Sequence, residues 1–283
     1  MNSLFTELLD DNTLAIFVFG GLVVIIVLLL VIMCKKTFRM AQKKFSKNPE
    51  INGTKDEFLS FATHQLRSPL TSLKWGLEAL SHQVENNSEE KILVAKLRET
   101  ADDMITTVND LLDISKIEQG RLMLVNDTVD LVELLDRSAE EFRIQAQLKN
   151  LKLSFQTDLT NGLFFGDKTK LRQVINNLLD NAVKYTDTGT ITINLSKNNL
   201  KGLYIITVAD TGKGITPEEA SSLFQKFKRG SAGESSFGGS GLGLFLSKKI
   251  VEMHRGTIHI VSDGIGKGSM FIVSLPDTSG SIA

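Results

Sequence analysis

The stretch Phe58–Leu70 reads FLSFATHQLRSPL and places one histidine, His64, inside a helix-forming segment. Just before it, Thr54–Glu57 has the form of a capping box, with Thr at the N-cap and Glu three residues later. This pattern predicts a helix from about residue 55 to 86. The apolar residues of that helix alternate at spacings of four and three, as in a coiled coil: Leu66, Leu70, Leu73, Leu77, Leu80 and Val84.

A second amphipathic helix is predicted from near Ser88 to about Glu118, where Gly120 would end it. Its apolar stripe comprises Leu93, Leu97, Ala101, Met104, Val108 and Leu111, widened by Val94, Ile105 and Leu112. The short polar segment Glu85–Ser88 would join the two helices as an antiparallel hairpin. Because one hairpin cannot cover both stripes, two chains are expected to pair as a four-helix bundle.

The position of His64 on its helix predicts an outward-facing imidazole. His64 lies two residues before Leu66, which is about 200° around a helix of 3.6 residues per turn. The ring is therefore expected on the side of Ser68, Thr71 and Trp75, away from the apolar stripe. The alternative for a lone histidine is a hydrogen-bonded core residue. An outward imidazole could be approached by another domain.

The N-terminal region contains a candidate membrane span. Leu14 to Met33 is an apolar run without a charged residue, close to the roughly 20 residues that a helix needs to cross a bilayer. A signal peptide is the competing interpretation, but acidic residues precede the run and no small-residue cleavage site follows it. The positive-inside rule predicts a single-pass protein of the cell membrane with its N-terminus outside, because basic residues follow the run: Lys35, Lys36, Arg39, Lys43, Lys44 and Lys47.

Composition narrows the classes of function. With 283 residues the chain has room for one or two domains, and a net charge of −1 gives no reason to expect a nucleic-acid partner. The one cysteine, Cys34, rules out an intrachain disulfide and a cysteine metal cluster, and the four histidines lack the spacing of a metal site. The predicted organisation is an extracytoplasmic tail (1–13), a transmembrane helix (14–34), a basic linker (35–54), the hairpin (55–120), a domain of strands and helices (121–277) and a C-terminal tail (278–283).

The region 121–277 alternates strand-like and helix-like patterns. Strands are predicted at Leu122–Val125, Leu151–Gln156, Gly189–Ser196, Leu203–Asp210, Thr257–Ser262 and Ser269–Leu275. Helices are predicted at about 130–150, from Asp167 to Tyr185, and in a segment ending at His254. This order favours an α/β sandwich with a mixed sheet.

Two kinds of polar motif stand out in this region. Asn177 and Asn181 are four residues apart and so share one helix face, where Asn is locally unfavourable; two solvated amides are the alternative. The string Asp210–Ile215 (DTGKGI) follows a strand, and its glycines would let backbone approach a ligand closely. The string Gly239–Leu244 (GSGLGL) opens a helix, whose N-terminal amides could bind an anion. It is neither a Walker A loop nor a dinucleotide fingerprint.

Residues 64–70, HQLRSPL, resemble the H-box of sensor histidine kinases. The resemblance implies that His64 is the phosphoryl acceptor. Gln65 stands where the family usually has an acid, so it would orient the imidazole without supplying negative charge. Ser68 stands where Thr or Asn is usual, at the position linked to phosphatase activity.

The downstream motifs resemble, in order, the boxes of the GHKL ATP-binding superfamily. The resemblance implies that Asn181 ligates Mg²⁺ beside Asn177, that Lys184 faces phosphate, that Tyr185 lies near the base or ribose, and that Asp210 accepts from the adenine amino group. The other implied ATP contacts are Gly212, Gly214, Lys226, Arg229, Gly239, Ser240, Gly241, Leu242, Gly243 and Ser269. Lys226 and Arg229 could instead be solvated.

Together, the motifs are expected to make an α+β protein: a single transmembrane helix, a dimeric four-helix bundle and an α/β-sandwich ATP-binding domain. The family resemblance implies a membrane-anchored homodimer that phosphorylates His64 from ATP and Mg²⁺, then passes the phosphoryl group to a response-regulator receiver domain. Two alternatives stay open at this point. One is a non-catalytic signalling scaffold, and the other is a GHKL ATPase of another class.

Overall fold

The computed structural model describes residues 66–67, 70–79, 81, 89–228 and 240–277. His64, Gln65, Ser68, Arg229 and Gly239 lie outside these ranges, as does the apolar segment 14–34. Within the ranges, no helix combines the length and the apolar character that a bilayer crossing requires. The chain divides into two compact units between Ser115 and Lys116.

The first unit contains two antiparallel helices. Helix α1 includes residues 70–79, and helix α2 is Glu89–Glu118. Partner numbers on α2 fall as those on the first helix rise: Arg67 Nη2 donates to Asn109 Oδ1 (2.6 Å), Lys74 Nζ pairs with Asp102 Oδ1 (2.6 Å), and Arg98 Nη2 pairs with Glu78 Oε1 (3.3 Å). These contacts fix the antiparallel register that the sequence predicts.

The predicted apolar stripe of α2 is only partly buried in the single chain, consistent with the expectation that one hairpin cannot cover both stripes. The buried members of this stripe are Val94, Ala101, Val108 and Leu112. Leu93 and Met104 were expected on the same face, but they are 56% and 51% exposed in the single chain. The physical reason is that one neighbouring helix covers only one side of α2, so the wider apolar surface is left uncovered.

Helix α2 ends at a glycine, as predicted. Gly120 has φ +63°, a conformation that costs glycine little. Its N–H donates to the carbonyl of Ile117 (3.0 Å), and the N–H of Arg121 donates to the carbonyl of Lys116 (2.8 Å). This pair of bonds is a Schellman motif, which satisfies the last carbonyls of a helix.

The second unit is an α/β sandwich, as predicted. Its elements are β1 (Asp127–Asp130), α3 (Leu131–Leu148), β2 (Leu151–Thr157), β3 (Leu163–Gly166), α4 (Lys168–Tyr185), β4 (Gly189–Asn198), β5 (Leu203–Asp210), α5 (Pro217–Ser222), α6 (Gly243–Met253), β6 (Thr257–Val261) and β7 (Ser269–Pro276). The main sheet has the order β2-β4-β5-β7-β6. Only β2 and β4 pair in parallel among these neighbours, so the sheet is mixed.

The core lies between this sheet and the layer of α3, α4 and α6, which contact one another in that order. Every second residue of the central strands is buried: Ile191, Ile193 and Leu195 on β4, Tyr204, Ile206 and Val208 on β5, and Phe271, Val273 and Leu275 on β7. This period of two is that of a sheet with one face packed on a core.

The strand predicted at Leu122–Val125 is wrong. Residues 121–126 have no regular structure, and β1 follows at Asp127–Asp130, where it pairs with β3. Met123 and Val125 are 80% and 78% exposed, so their apolar alternation does not reflect a buried strand face. Strand β3 and helix α5 were not predicted.

The start of α4 is fixed by a buried histidine at the end of α6. Asp167, the N-cap of α4, accepts from the N–H of Lys170 and from the N–H of Val125, each at 3.0 Å. The N–H of Asp167 donates to Nε2 of His254 (3.0 Å), and Nδ1 of His254 lies 2.8 Å from the carbonyl of Ile250. Nε2 is an acceptor here, so the proton is on Nδ1 and the ring is neutral.

Candidate functional site

The two asparagines of α4 are held by hydrogen bonds in the helix layer. Nδ2 of Asn177 donates to Oγ of Ser247 on α6 (2.9 Å), and Nδ2 of Asn181 donates to the carbonyl of Asn177 (2.8 Å). A Cβ on Gly243, the first residue of α6, would collide with Oδ1 of Asn177. The side-chain oxygen of Asn181 is the atom of that amide that can bind a cation.

Helix α6 begins without a side-chain cap. Its N-cap, Leu242, is 1% exposed and makes no capping hydrogen bond with its side chain. Just before the helix, Gly241 has φ +68°, and the N–H of Leu242 donates to Oγ of Ser240 (3.3 Å). The first N–H groups of a helix have no partner within the helix, so this end of α6 is suited to an anion.

Asp210, at the end of β5, is a buried carboxylate with both oxygens held. Oδ1 accepts from the N–H of Gly212 (2.8 Å), and Oδ2 accepts from Oγ of Ser269 on β7 (2.5 Å). Asp210 is only 9% exposed. A Cβ on Gly268 would collide with the backbone carbonyl of Asp210, so the turn before β7 can lie this close to the backbone at the end of β5 only because position 268 is glycine.

The loop after Asp210 lies against the end of α4. The N–H of Lys213 donates to the carbonyl of Tyr185 (3.0 Å), and a Cβ on Gly212 would overlap the same carbonyl. Gly214 has φ +63°, and a side chain there would collide with the carbonyl of Gly264. The loop is thus enclosed by backbone on two sides, which explains its glycine spacing.

The two predicted phosphate-binding lysines that the structure describes have acidic partners. Lys184 Nζ lies 2.7 Å from Asp180 Oδ2, one helical turn away. Lys226 pairs with Glu118 and lies over the ring of Phe245, 5.3 Å from its centroid. A phosphate contact by either lysine would therefore replace an existing ion pair.

The structure brings the predicted residues together in two connected groups. One group lies between α4 and α6 and comprises Asn177, Asn181 and Gly243. The other lies at the loop after β5 and comprises Tyr185, Asp210, Gly212, Gly214 and Ser269. Helix α4 links the groups, because it carries both asparagines and ends at Tyr185.

Three polar residues of the site were not predicted. Ser247 holds Asn177, and Ser262 donates to the carbonyl of Gly268 (2.6 Å) while accepting from the N–H of Ile215 (3.2 Å). The hydroxyl of Thr186 is buried and has no hydrogen-bond partner in the described part of the chain. Ser247 could have been noticed, because it is a polar residue in an apolar helical run.

These residues fit ATP with Mg²⁺. A buried acceptor at Asp210 suits the amino group of adenine, and the uncapped end of α6 suits phosphate oxygens. Mg²⁺ prefers oxygen ligands and usually keeps several waters and substrate phosphates rather than an all-protein cage. The amide oxygen of Asn181 is a ligand of the oxygen type that Mg²⁺ prefers.

Comparison with protein families identifies both units. Residues 54–120 match the His Kinase A (phospho-acceptor) domain, and residues 166–279 match the histidine kinase-, DNA gyrase B- and HSP90-like ATPase. The chain is 33% identical over 243 residues to "Drug sensory protein A" of Synechocystis sp., covering 82% of this chain and 36% of that protein. It is 34% identical over 223 residues to "Signal transduction histidine-protein kinase BaeS" of Escherichia coli strain K12, covering 78% of this chain and 46% of that protein.

A solved structure shares the fold. The full-length protein ShkA in complex with AMPPNP superposes with a TM-score of 0.64 at 26% identity, covering 78% of this chain and 45% of that chain. The chain thus spans between a third and a half of the length of these relatives.

Proposed function

Because this chain belongs to the histidine kinases of the two-component type, we propose that it phosphorylates His64 from ATP and passes the phosphoryl group to an aspartate of a response regulator. The observation that carries the proposal is the buried Asp210 carboxylate, held on both oxygens beside a glycine loop. The same unit presents the uncapped α6 N-terminus. The proposed domains are the hairpin at 55–120 and the ATP-binding domain at 121–277.

The proposed mechanism assigns each residue one task. Asp210 would accept the hydrogen bond of the adenine amino group, Asn181 would bind Mg²⁺ through its amide oxygen, and the first amides of α6 would bind phosphate oxygens. When bound, MgATP supplies the transferable phosphoryl group and the metal charge that neutralises it. An imidazole nitrogen of His64 attacks the γ-phosphorus, a P–N bond forms, the P–O bond to the β-phosphate breaks, and ADP leaves. Gln65 would hold the imidazole by accepting its Nδ1–H.

We propose that three basic residues bind phosphate oxygens of ATP: Lys184, Lys226 and Arg229. For the two lysines, this role requires exchange of a carboxylate partner, Asp180 or Glu118, for a phosphate oxygen. Such pairs are partly exposed and contribute about 0–1 kcal/mol, so the exchange costs little compared with binding a triphosphate.

Incubation of the full chain with γ-labelled ATP tests the proposal. We expect acid-labile label on the wild type and none on His64→Ala. A large loss is expected with Asp210→Asn, because the negative charge is removed and one of the two accepting oxygens is replaced by an NH₂ donor. The control is His259→Ala, an exposed residue of β6 that should label as the wild type does.

Each of the other possible outcomes would favour an alternative function. A wild type without label, but with bound nucleotide, would be a non-catalytic scaffold. Equal label on His64→Ala would move the acceptor elsewhere. Steady ATP hydrolysis that survives His64→Ala would favour a GHKL ATPase of another class.

We also propose that two chains pair through their hairpins. Leu93 and Met104, two members of the predicted apolar stripe of α2, are more than half exposed in the single chain. Burying apolar surface of this kind favours association by roughly 25 cal/mol per Å². Leu93→Asp should convert the dimer to a monomer in light scattering, whereas Glu99→Gln, an exposed polar change on the same helix, should not. A wild-type monomer would contradict the dimer.

Membrane anchoring is a further part of the proposal, supported by the apolar run 14–33 and the basic residues after it. The wild type should stay with the membrane fraction through an alkaline carbonate wash. Ile26→Arg places a charge near the middle of the run, which costs about 2.5–3.5 kcal/mol for insertion, and should release part of the protein. Wild type in the wash supernatant would contradict anchoring.

A further inference from the structure

Ser247 is a buried polar residue in the apolar middle of α6. It is 2% exposed, and its Oγ accepts the hydrogen bond from Nδ2 of Asn177 at 2.9 Å. Its neighbours in the helix, Leu246 and Ile250, are also buried. A polar group in such a place is costly unless it is hydrogen-bonded, so the Asn177 contact is the physical reason that serine is tolerated.

Ser247 and Gly243 together hold the Asn177 amide from two sides. They are four residues apart on α6 and therefore lie one above the other on the same helix face. Nδ2 of Asn177 points to Ser247, while Oδ1 occupies the space where a side chain on Gly243 would begin. Withdrawal of the amide from α6 would break the hydrogen bond to Ser247, and a side chain at position 243 would displace Oδ1.

This arrangement connects the two parts of the site that would meet the metal and the phosphates. Asn177 lies one turn before Asn181, and its carbonyl accepts from Nδ2 of Asn181 (2.8 Å). Gly243 begins α6, whose N-cap residue makes no side-chain capping hydrogen bond. The Ser247–Asn177 bond thus links the helix that carries Asn181 to the helix that begins at Gly243.

We propose that Ser247 is a positioning residue that aligns the metal-binding face of α4 with the phosphate-binding end of α6. The inference rests on the proposed binding of ATP with Mg²⁺. A misaligned pair of elements could still bind the base at Asp210, but it could not bind metal and phosphate together. The expected signature is a loss of the part of nucleotide affinity that depends on Mg²⁺.

Calorimetric titration of the full chain with AMPPNP, in Mg²⁺ and in EDTA, tests this role. Ser247→Ala should weaken binding in Mg²⁺ by about tenfold, the scale of one net hydrogen bond, and leave binding in EDTA almost unchanged. Ser247→Thr keeps the hydroxyl and should restore the Mg²⁺ effect. The matched control is Ser221→Ala, an exposed serine whose Oγ donates only to the carbonyl of Glu218 in its own helix.

The outcomes separate this inference from the proposed function. Equal loss in Mg²⁺ and EDTA, together with a lower melting temperature, would assign Ser247 a structural role only, and unchanged affinity would also overturn the inference. A wild type that binds no nucleotide would overturn the proposed function itself. Should the alanine variant not fold, Ser247→Cys keeps the volume with a much weaker acceptor and carries the same expectations.

Discussion

At the scale of single residues, His254 shows how a titratable group can fix the position of a binding helix. Burial lowers the pKa of its imidazole from the ordinary value, although the carbonyl of Ile250 and the charge of Asp167 oppose the shift. The neutral ring accepts the N–H of Asp167, the N-cap of α4. A protonated ring could not accept that bond, so acid would loosen the start of the helix that carries the two asparagines.

This histidine predicts a pH-dependent loss of stability. Unfolded histidine takes up a proton near pH 6.5, while folded His254 does so only at lower pH, so its stabilising effect is present above pH 6.5. That effect is lost as pH falls through the lowered folded pKa. Thermal unfolding between pH 8 and 5 should show a smaller decline for His254→Gln than for the wild type. His259→Gln, at an exposed site, should decline as the wild type does; an unchanged slope in His254→Gln would contradict the assignment.

Replacement of glycine by alanine is expected to have opposite effects on stability at two helical positions, Gly76 and Gly243. Alanine is better than glycine by about 1 kcal/mol within a helix, and a Cβ on Gly76 would meet nothing within 4 Å. Gly76→Ala should therefore raise the free energy of unfolding by roughly 0.5–1 kcal/mol. Gly243→Ala would drive a methyl group into Oδ1 of Asn177, so it should lower both stability and AMPPNP affinity. Denaturant titration of both variants checks this contrast, which fails if they shift in the same direction.

At the scale of elements, the hairpin depends on its apolar contacts more than on its ion pairs. Leu77 is 7% exposed, whereas the side chains of Glu78 and Arg98 are each 43% exposed at their ion pair. Leu77→Ala should lower the free energy of unfolding by about 2–5 kcal/mol, and Glu78→Gln by less than about 1 kcal/mol. Denaturation at one fixed protein concentration compares these adjacent positions. Equal effects would show that the ion pairs matter as much as the core.

Regular elements with a clear period could be predicted from sequence, and elements that depend on distant partners could not. Leu203–Asp210 was predicted as a strand because it is a short apolar run rich in β-branched residues, and it matches β5, in which every second residue is buried. Strand β3 has four residues and exists through pairing with β1, more than thirty positions earlier in the chain. Helix α5 was missed although Thr216 and Glu219 form a complete capping box with proline at its start, a local signal that was available.

The residues of the candidate site also differ in how far their roles could be predicted from sequence. Asn177 and Asn181 stood out in the sequence because asparagine is unfavourable in a helix interior, whereas Asp210 was singled out by the family resemblance of its motif. Ser247 could not be given a task from sequence, and Ser269 was predicted as an ATP contact rather than as the partner of Asp210. Each of these serines acts on a residue that folding brings from another element. The roles of the glycines at 212, 243 and 268 became clear only when neighbouring backbone or amide atoms were seen in the space of their missing side chains.

At the scale of the whole molecule, the division between Ser115 and Lys116 predicts an uneven response to nucleotide. A ligand stabilises only the part that binds it, by about 2.7 kcal/mol at a concentration of 100 Kd. In scanning calorimetry of the full chain, addition of Mg²⁺ and AMPPNP should raise the midpoint temperature of one thermal transition and leave that of the other unchanged. Asp210→Asn should abolish the shift. An equal rise of both transitions would contradict separate units.

The fixed carboxylate of Asp210 has a consequence for the choice among purines. Its oxygens can only accept hydrogen bonds, and the bonds from Gly212 and Ser269 prevent it from turning aside. Guanine carries a carbonyl where adenine carries an amino group, so GTP would bring one electron-rich oxygen against another. With Asp210 in its proposed role as the adenine acceptor, discrimination against GTP would arise from charge repulsion at an immobile acceptor and would need no steric barrier.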